Sequence, residues 1–586
     1  MKPSKPLSSY SLQLRESHLF VAVTIVVGIL AGLSAVLFAV TIDLLNRLFF
    51  GVDPSTMRLI AMPALVSVVT GLLMRHVFHG IRGSGIPQTK AAYHLNGGIV
   101  SPLVPVGKFL AGTLAIGSGH SLGREGPSVQ IGAGLASAIG QWLRLPPERV
   151  KDLLPVGAAG ALAAAFNTPV AAVIFALEEI IGDMNATLLG STVVASVASV
   201  VVARSVLGNE PLFRVPAYHL VHPAELLAYA ALGMVGGCVS IVFCKALLGL
   251  RGWFRRLPER TVVWQPAMGG LAAGLILVAA PQLLGTGYDY VDRALNGGVL
   301  LQMALALGLM KIVATVISYA SGNPGGIFAP TLYIGAMTGA VVGTIVSRLA
   351  PFAVAEPGAY ALVGMGAVFA GIVRAPLTSV FMIFELTQDY QIIVPLMVAN
   401  LLSFYLSRTF QPLPIYHALL AQDHVHLPSA VTRKADRSWT AWHVMETRVP
   451  FVGADATIAD AVATLRGDPV RLVGRADAFQ GTVTVTQLRD ALADGRGTDR
   501  VDSLIKQPSI HAHPDHPLAV VVERLAHSDG VIPVVSRADA QVLLGVVTVE
   551  GIMRGLRGRT DGSRQQDGGP PAPTLQAGRQ PGPEEA

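Results

Sequence analysis

Residues 123–127 read Gly-Arg-Glu-Gly-Pro, and no other Lys, Arg, Asp or Glu falls between Phe109 and Leu143. A charge at the centre of a bilayer costs at least ~2.5–3.5 kcal/mol on insertion scales, and such residues mark ion or proton pathways. A helix that starts near residue 126 would turn its free N–H groups and positive dipole end toward an anion. Pro127 suits the first turn of such a helix. The carboxylate of Glu125 could fill that anion site itself and leave when protonated. The plain alternative is a buried Arg124–Glu125 structural pair or a helix cap.

Two further breaks carry donors without charge. In Gly83-Ser84-Gly85-Ile86-Pro87 the glycines permit close backbone approach, and Ser84 offers a hydroxyl to an anion, although Ser is also a common N-cap. Gly325-Gly326-Ile327-Phe328-Ala329-Pro330 places the amides of Ile327 and Phe328 at another helix start. Neutral donors from several helix ends would bind a halide without trapping it, the balance of entry and exit that conduction requires. Glu178 and Glu179 close an apolar helix that begins at Pro169. Adjacent residues point about 100° apart on a helix, so the two carboxylates need not share a role. The alternative is that both cap the helix in interfacial water. Tyr416, in Pro412-Leu413-Pro414-Ile415-Tyr416, reads by default as an interfacial belt aromatic.

These residues must be positioned by membrane helices. The chain of 586 residues is 52% hydrophobic and 14% charged, against roughly 25% charged in soluble domains. Uncharged runs at Leu19–Ile42, Met184–Ala203, Leu226–Cys244, Thr261–Tyr288 and Ile312–Ser347 reach or approach the ~20 residues that span a bilayer. The first run is too long for a signal-peptide core and reads as a retained helix. Lys2, Lys5 and Arg15 before it favour a cytoplasmic N-terminus. Cys238 and Cys244 share one apolar run, which argues against a disulfide framework or a zinc site. The net charge of +6 is spread along the chain, which suits membrane-flanking loops and not nucleic-acid binding.

Many apolar segments are shorter than a full span and open at Gly or Pro, as at Gly85-Ile86-Pro87, Gly126-Pro127, Thr168-Pro169, Ala329-Pro330 and Ala375-Pro376. Interrupted helices at membrane depth are tolerated where they are buried in protein or line an aqueous cavity. Their recurrence in two halves points to a substrate site at the repeat interface. Gly157–Glu178 aligns with Gly364–Glu385 at an offset of 207, so that Gly157/Gly364, Ala163/Ala370, Pro169/Pro376, Val173/Val380 and Glu178/Glu385 coincide. The break at 123–127 has its partner at 325–330, an offset of about 203. Glu178 therefore has a repeat mate, whereas Glu179 faces Leu386; the asymmetry makes Glu178 structural and Glu179 special.

Composition becomes soluble after about residue 430. Two segments, 441–495 and 501–556, share one order: an apolar–polar start, a helix, a β-rich run and a second short helix. Ala459–Leu465 and Leu518–Leu525 are the predicted first helices, Val470–Val473 and Val531–Val535 the strands. Residues 1–17 are expected to be a cytoplasmic tail, 18–421 the membrane domain, 422–440 a linker and 557–586 a disordered tail.

Taken in order, Gly83 to Pro87, Lys108-Phe109, Gly117 to Pro127, Gly325 to Pro330 and Tyr416 resemble the CLC family of chloride channels and chloride/proton antiporters. The resemblance covers about residues 18–421. The soluble part resembles a tandem CBS pair. The expected fold is thus an all-α polytopic membrane protein with an inverted repeat of tilted and broken helices, joined to a cytoplasmic α/β CBS pair. The resemblance implies a homodimer with a separate anion pathway in each subunit. It assigns chloride coordination to Ser84, Tyr416 and the amides of Ile327 and Phe328, with Gly85, Arg124 and Gly126 lining the same site. Glu125 matches the outward-facing gating glutamate. Glu179 matches the inner glutamate through which antiporters pass protons, where many channels carry an apolar residue. Serine at 84 fits chloride, whereas nitrate-preferring members tend to have proline. Nucleotide-binding CBS modules often place an Asp three residues after a Thr; here Gln487 follows Thr484 and Gly551 follows Thr548. That departure speaks against adenine-nucleotide binding and for a structural or dimer-bracing role.

The resulting expectation is chloride/proton antiport in a multi-pass protein of a bacterial inner membrane with cytoplasmic termini, not an enzyme and without a cofactor. A passive chloride channel gated by Glu125 is the main rival. Metal-ligand spacing is absent around Glu178, Glu179 and His120, which disfavours an intramembrane enzyme. Broken helices in both halves disfavour a CBS-based sensor with a mere anchor.

Overall fold

The computed structural model describes residues 7–560 apart from 52, 185, 210, 211, 214, 217, 219, 388, 389, 426, 428–438, 448–450, 465–469, 476, 477, 506–509, 527, 529 and 538. The chain divides into two compact units, Met1–Leu427 and Pro428–Ala586. Among the described residues of the first, seven helices are long and apolar enough to cross a membrane, from Leu19–Phe50 to Ile393–Gln422. Shorter apolar helices such as Leu103–Gly117 and Pro357–Val373 pack among them. This is an integral, multi-pass membrane protein.

Each break expected from Gly or Pro begins a helix: Ile86–Leu95, Glu125–Trp142, Pro169–Phe175, Phe328–Leu349 and Pro376–Thr387. The backbone reason is clearest at Gly85. Its φ of 102° is open to glycine, and a Cβ there would lie 2.7 Å from Cβ of Gln130. Two uncharged runs are not single spans. Ile312–Ser347 is interrupted between the end of Leu301–Ala320 and the start of Phe328–Leu349. Thr261–Tyr288 holds Gln265–Ala279, a short 3-10 turn and the opening residue of another helix, Tyr288–Leu295. Lack of charge reports the solvent of a segment and not the continuity of its backbone. At the other end, the first helix already begins at Leu7, inside the expected tail.

The two halves form inverted repeats, and their contacts are reciprocal as a two-fold requires. Glu178 accepts from the Leu377 and Thr378 amides at 3.3 and 2.8 Å. Its repeat mate Glu385 accepts from Val170 and Ala171 at 3.0 and 2.7 Å. Each carboxylate thus caps the exposed N–H groups that open the other half's short helix, where the dipole also favours it. Glu178 is a structural residue, as its repeat mate suggested. Gly132 meets Gly157 in one half, and Gly335 meets Gly364 in the other. Such glycine pairs let membrane helices approach backbone to backbone.

Two buried lysines obey the same symmetry. Lys108 donates to the carbonyls of Ile81 and Gly83 at 2.8 and 2.5 Å. Lys311, 203 residues on, donates to Gly285 and Thr286 at 3.1 and 3.2 Å. Each lysine fastens the loop that runs into a short helix, Ile86–Leu95 in one half and Tyr288–Leu295 in the other.

The second unit is α/β. Phe451–Val452 pairs in parallel with Val470–Arg475, which pairs antiparallel with Ala478–Thr484. Val531–Val535 and Leu543–Thr548 form a second, antiparallel pair. The leading segments are exchanged. Ala441 and Val444 pack into the core of the second repeat, and Val501 packs into the core of the first. The Thr484 side chain accepts from the Gln487 amide while Gln487 Oε1 accepts from the Thr484 amide. The last helix runs from Val549 to Thr560, past the point where the tail was expected to begin. Residues 561–586 and most of the expected linker lie outside the described residues.

Candidate functional site: an anion path between two carboxylates

Three breaks converge. Gly123 and Gly326 exchange two backbone hydrogen bonds, each 2.7 Å, and the Gly325 amide donates to the Gly83 carbonyl at 3.1 Å. The starts of the Glu125, Phe328 and Ile86 helices are therefore brought to one place, each with unpaired N–H groups. The glycines make that possible: a Cβ on Gly326 would sit 3.0 Å from the Gly126 amide nitrogen.

Glu125 is fully buried. Its Oε1 accepts from the Tyr288 hydroxyl at 2.6 Å. The N–H groups of Glu125 and Ala329 lie close to the carboxylate, while Oε2 closes no hydrogen bond of good geometry. Arg124 turns away, donating to the Ala165 carbonyl at 3.3 Å. Among the described residues it forms no ion pair with Glu125, which removes the structural-pair alternative. A buried carboxylate needs partners to offset its desolvation; here they come from Tyr288 and from the starts of two helices, so Glu125 is more than the cap of its own helix.

On the other side of the Gly126 backbone lie Ser84 and Tyr416, both fully buried. A Cβ on Gly126 would strike Ser84 Oγ. The two hydroxyls face one another, yet neither Oγ nor OH completes a hydrogen bond. Two buried, unmatched hydroxyl donors beside open helix starts fit a small anion. Ile327 caps the helix that starts at Phe328, and both are buried at the same junction. Tyr416 is thus no interfacial aromatic; the Ile415–Gln422 helix carries it inward. A narrow cleft lined by Arg82, Gly83, Arg251, Tyr319, Leu419 and Asp423 reaches the same helix.

Glu179 sits elsewhere, in a π-helical turn, Ala176–Ile181, that follows Pro169–Phe175. π-bulges recur at functional sites. Here the widened turn lets Glu178 reach Thr378 while Glu179 reaches Lys90, whose Nζ lies 2.7 Å from Oε1. Both partners are buried, so neither caps a helix in interfacial water. Lys90 also contacts His417 Nδ1 at 3.4 Å. One turn of helix therefore bears both the buried hydroxyl of Tyr416 and a contact to the Glu179 ion pair.

Lys90, His417 and Tyr288 were not singled out from the sequence. Lys90 had a signal, a lysine three residues beyond Pro87 in a short helix without an acidic residue. Tyr288 had a weaker one, the Gly285-Thr286-Gly287-Tyr288 break. His417 had none.

Comparison with known proteins decides the family. Residues 65–408 match the voltage gated chloride channel family. The chain belongs to that family, the CLC proteins. Residues 501–558 also match the CBS domain family. The CLC chain is 31% identical over 420 residues to the H(+)/Cl(-) exchange transporter ClcA of Vibrio campbellii, covering 69% of this chain and 89% of that one. It is 36% identical over 367 residues to chloride channel protein CLC-f of Arabidopsis thaliana, covering 58% and 46%. The solved structure of a slow cyanobacterial Cl-/H+ antiporter matches with a TM-score of 0.63 at 26% identity, over 69% of this chain and 97% of that one.

Proposed function

We propose that this CLC protein exchanges chloride for protons. The observation that carries the reading is the seat of Glu125: a buried carboxylate held at the start of the Phe328 helix, across Gly126 from two unmatched hydroxyls. Chloride and the carboxylate are both anions that suit such helix starts, so they compete for one path. Protonated, Glu125 loses its charge and leaves; chloride then passes between the outer seat and the site of Ser84, Tyr416 and the Ile327 and Phe328 amides. Gly85 and Gly126 allow the backbone to approach the ion, while Arg124 anchors the loop through Ala165. Glu179 supplies protons from the inner side and must release Lys90 to accept one. The relatives named as chloride/proton exchangers support this assignment. We extend it to a homodimer in a bacterial inner membrane, with a CBS pair that braces the assembly instead of binding a nucleotide.

A passive chloride channel gated by Glu125 is the second reading. It draws on the Lys90–Glu179 ion pair, which a proton on Glu179 must displace. Flux in proteoliposomes separates the two. An outward chloride gradient should drive protons uphill against an opposing pH gradient; chloride flux with no proton movement would leave only the channel.

A further inference from the structure

We propose that Tyr288 is the latch of Glu125, a positioning residue whose hydroxyl holds the charged carboxylate in its seat and sets how readily it leaves. This rests on the reading of Glu125 as the gating carboxylate. The bond of 2.6 Å from Tyr288 OH to Oε1 has the length of a charge-assisted O–H···O⁻ contact. Among the described residues it is the one side-chain hydrogen bond to that carboxylate, whose other close donors are the backbone N–H groups of Glu125 and Ala329.

The tyrosine is itself held from three directions. Gly287 before it has φ 75°, and a Cβ there would lie 2.8 Å from the Tyr333 ring. Lys311 fastens Gly285 and Thr286. The ring of Phe213 stands edge-on to the Tyr288 ring, with centroids 5.6 Å apart. At the far end of the Tyr288–Leu295 helix, the Leu295 carbonyl accepts from the Tyr218 hydroxyl. A hydroxyl placed this firmly gives up little conformational freedom when it engages the carboxylate.

Symmetry supplies the second argument. The offset of 203 that relates Lys108 to Lys311 and Gly123 to Gly326 brings Tyr288 onto Gly85. Both halves present a lysine-fastened loop with a hydroxyl near its end, Ser84 one residue before the matched position and Tyr288 at it, the one beside Tyr416 and the other on Glu125. Tyr288 is half-buried while Glu125 is fully buried, so the latch stands nearer the surface than the group it holds. The charged or titratable groups acting on the carboxylate among the described residues are Arg124, Tyr288 and Tyr416. Tyr288 alone of these bonds to it.

The test is a cycle of four proteins in proteoliposomes: wild type, Tyr288→Phe, Glu125→Ala and the double variant, with chloride efflux followed from acidic to neutral pH. Tyr288→Phe keeps the ring against Phe213, and chloride flux in the double variant reports that the protein is folded. A lost charge-assisted bond should speed efflux about three- to tenfold at neutral pH, where the carboxylate is charged. The gain should shrink at acidic pH and vanish in the Glu125→Ala background. Equal rates for Tyr288→Phe and wild type at every pH would overturn the latch, as would the same factor in both backgrounds, which marks a packing effect. Should Glu125→Ala alone keep wild-type proton coupling, the gating role of Glu125 fails instead.

Discussion

Gly123 and Gly326 exchange both of their backbone hydrogen bonds at 2.7 Å, although 203 residues separate them. The bridge joins the two helix starts between which Glu125 is seated. It leaves little room for a side chain: a Cβ on Gly326 would lie 3.0 Å from the Gly126 nitrogen and 3.1 Å from the Gly123 carbonyl oxygen, both backbone atoms that would have to shift.

Gly326→Ala should therefore destabilise the protein by on the order of 1–3 kcal/mol, the usual cost of overpacking, and weaken chloride binding. Gly190→Ala, at a helical glycine with open space around it, should change neither. Thermal unfolding in detergent and chloride titration calorimetry measure both effects.

Tyr416→Phe removes a hydroxyl that has no completed hydrogen bond in the protein. Stability should stay within about 0.5 kcal/mol, the range for changes that break no contact. Chloride affinity should fall by about tenfold, since a hydrogen bond to a charged group contributes about 1.5 kcal/mol or more. Calorimetric titration reads the affinity, and an unchanged dissociation constant would remove Tyr416 from the site.

The two carboxylates should separate cleanly in flux assays. Glu125→Ala should pass chloride with no coupled proton, because the competing carboxylate is gone. Glu179→Val should retain chloride flux and lose proton pumping. Retained coupling in Glu179→Val would sink its assigned role.

In the second unit, burial first, then the neighbouring Arg524 and His513, lower the His516 pKa to about 4 from 6.5. Asp515 and Arg537 act on it more weakly. The folded state thus favours neutral His516. Its contribution to stability is whole above about pH 6.5 and is lost as pH falls toward about 4. The ring is half-buried, so solvent screening reduces this to on the order of 1–2 kcal/mol. Hydrogen exchange at Ala512 and Val535 should accelerate over that window in the full-length protein, and His516→Gln should flatten the response.

Much of this site was legible in the sequence because its parts are backbone signals. Gly and Pro restrict φ and remove donors wherever they stand, so the starts at Ile86, Glu125, Pro169, Phe328 and Pro376 could be placed from residue types alone. The repeat offset likewise separated Glu178 from Glu179 before any contact was known. The break inside the uncharged run 312–347 was visible only through Gly325 and Gly326, because hydrophobicity averages over a break that glycine makes.

By itself, then, the sequence determined where helices begin, that the chain repeats, and that Glu125 is a charge among apolar neighbours. Tertiary structure alone decided which groups meet. Tyr288 reaches Glu125 across 163 residues and Lys90 reaches Glu179 across 89, and no local pattern encodes a partner at such range. The inward turn of Tyr416 is of the same kind. An aromatic after a last membrane helix suits interfacial water or a buried anion equally well. Only the packing of the Ile415–Gln422 helix, which leaves the tyrosine no exposed surface, chooses between them.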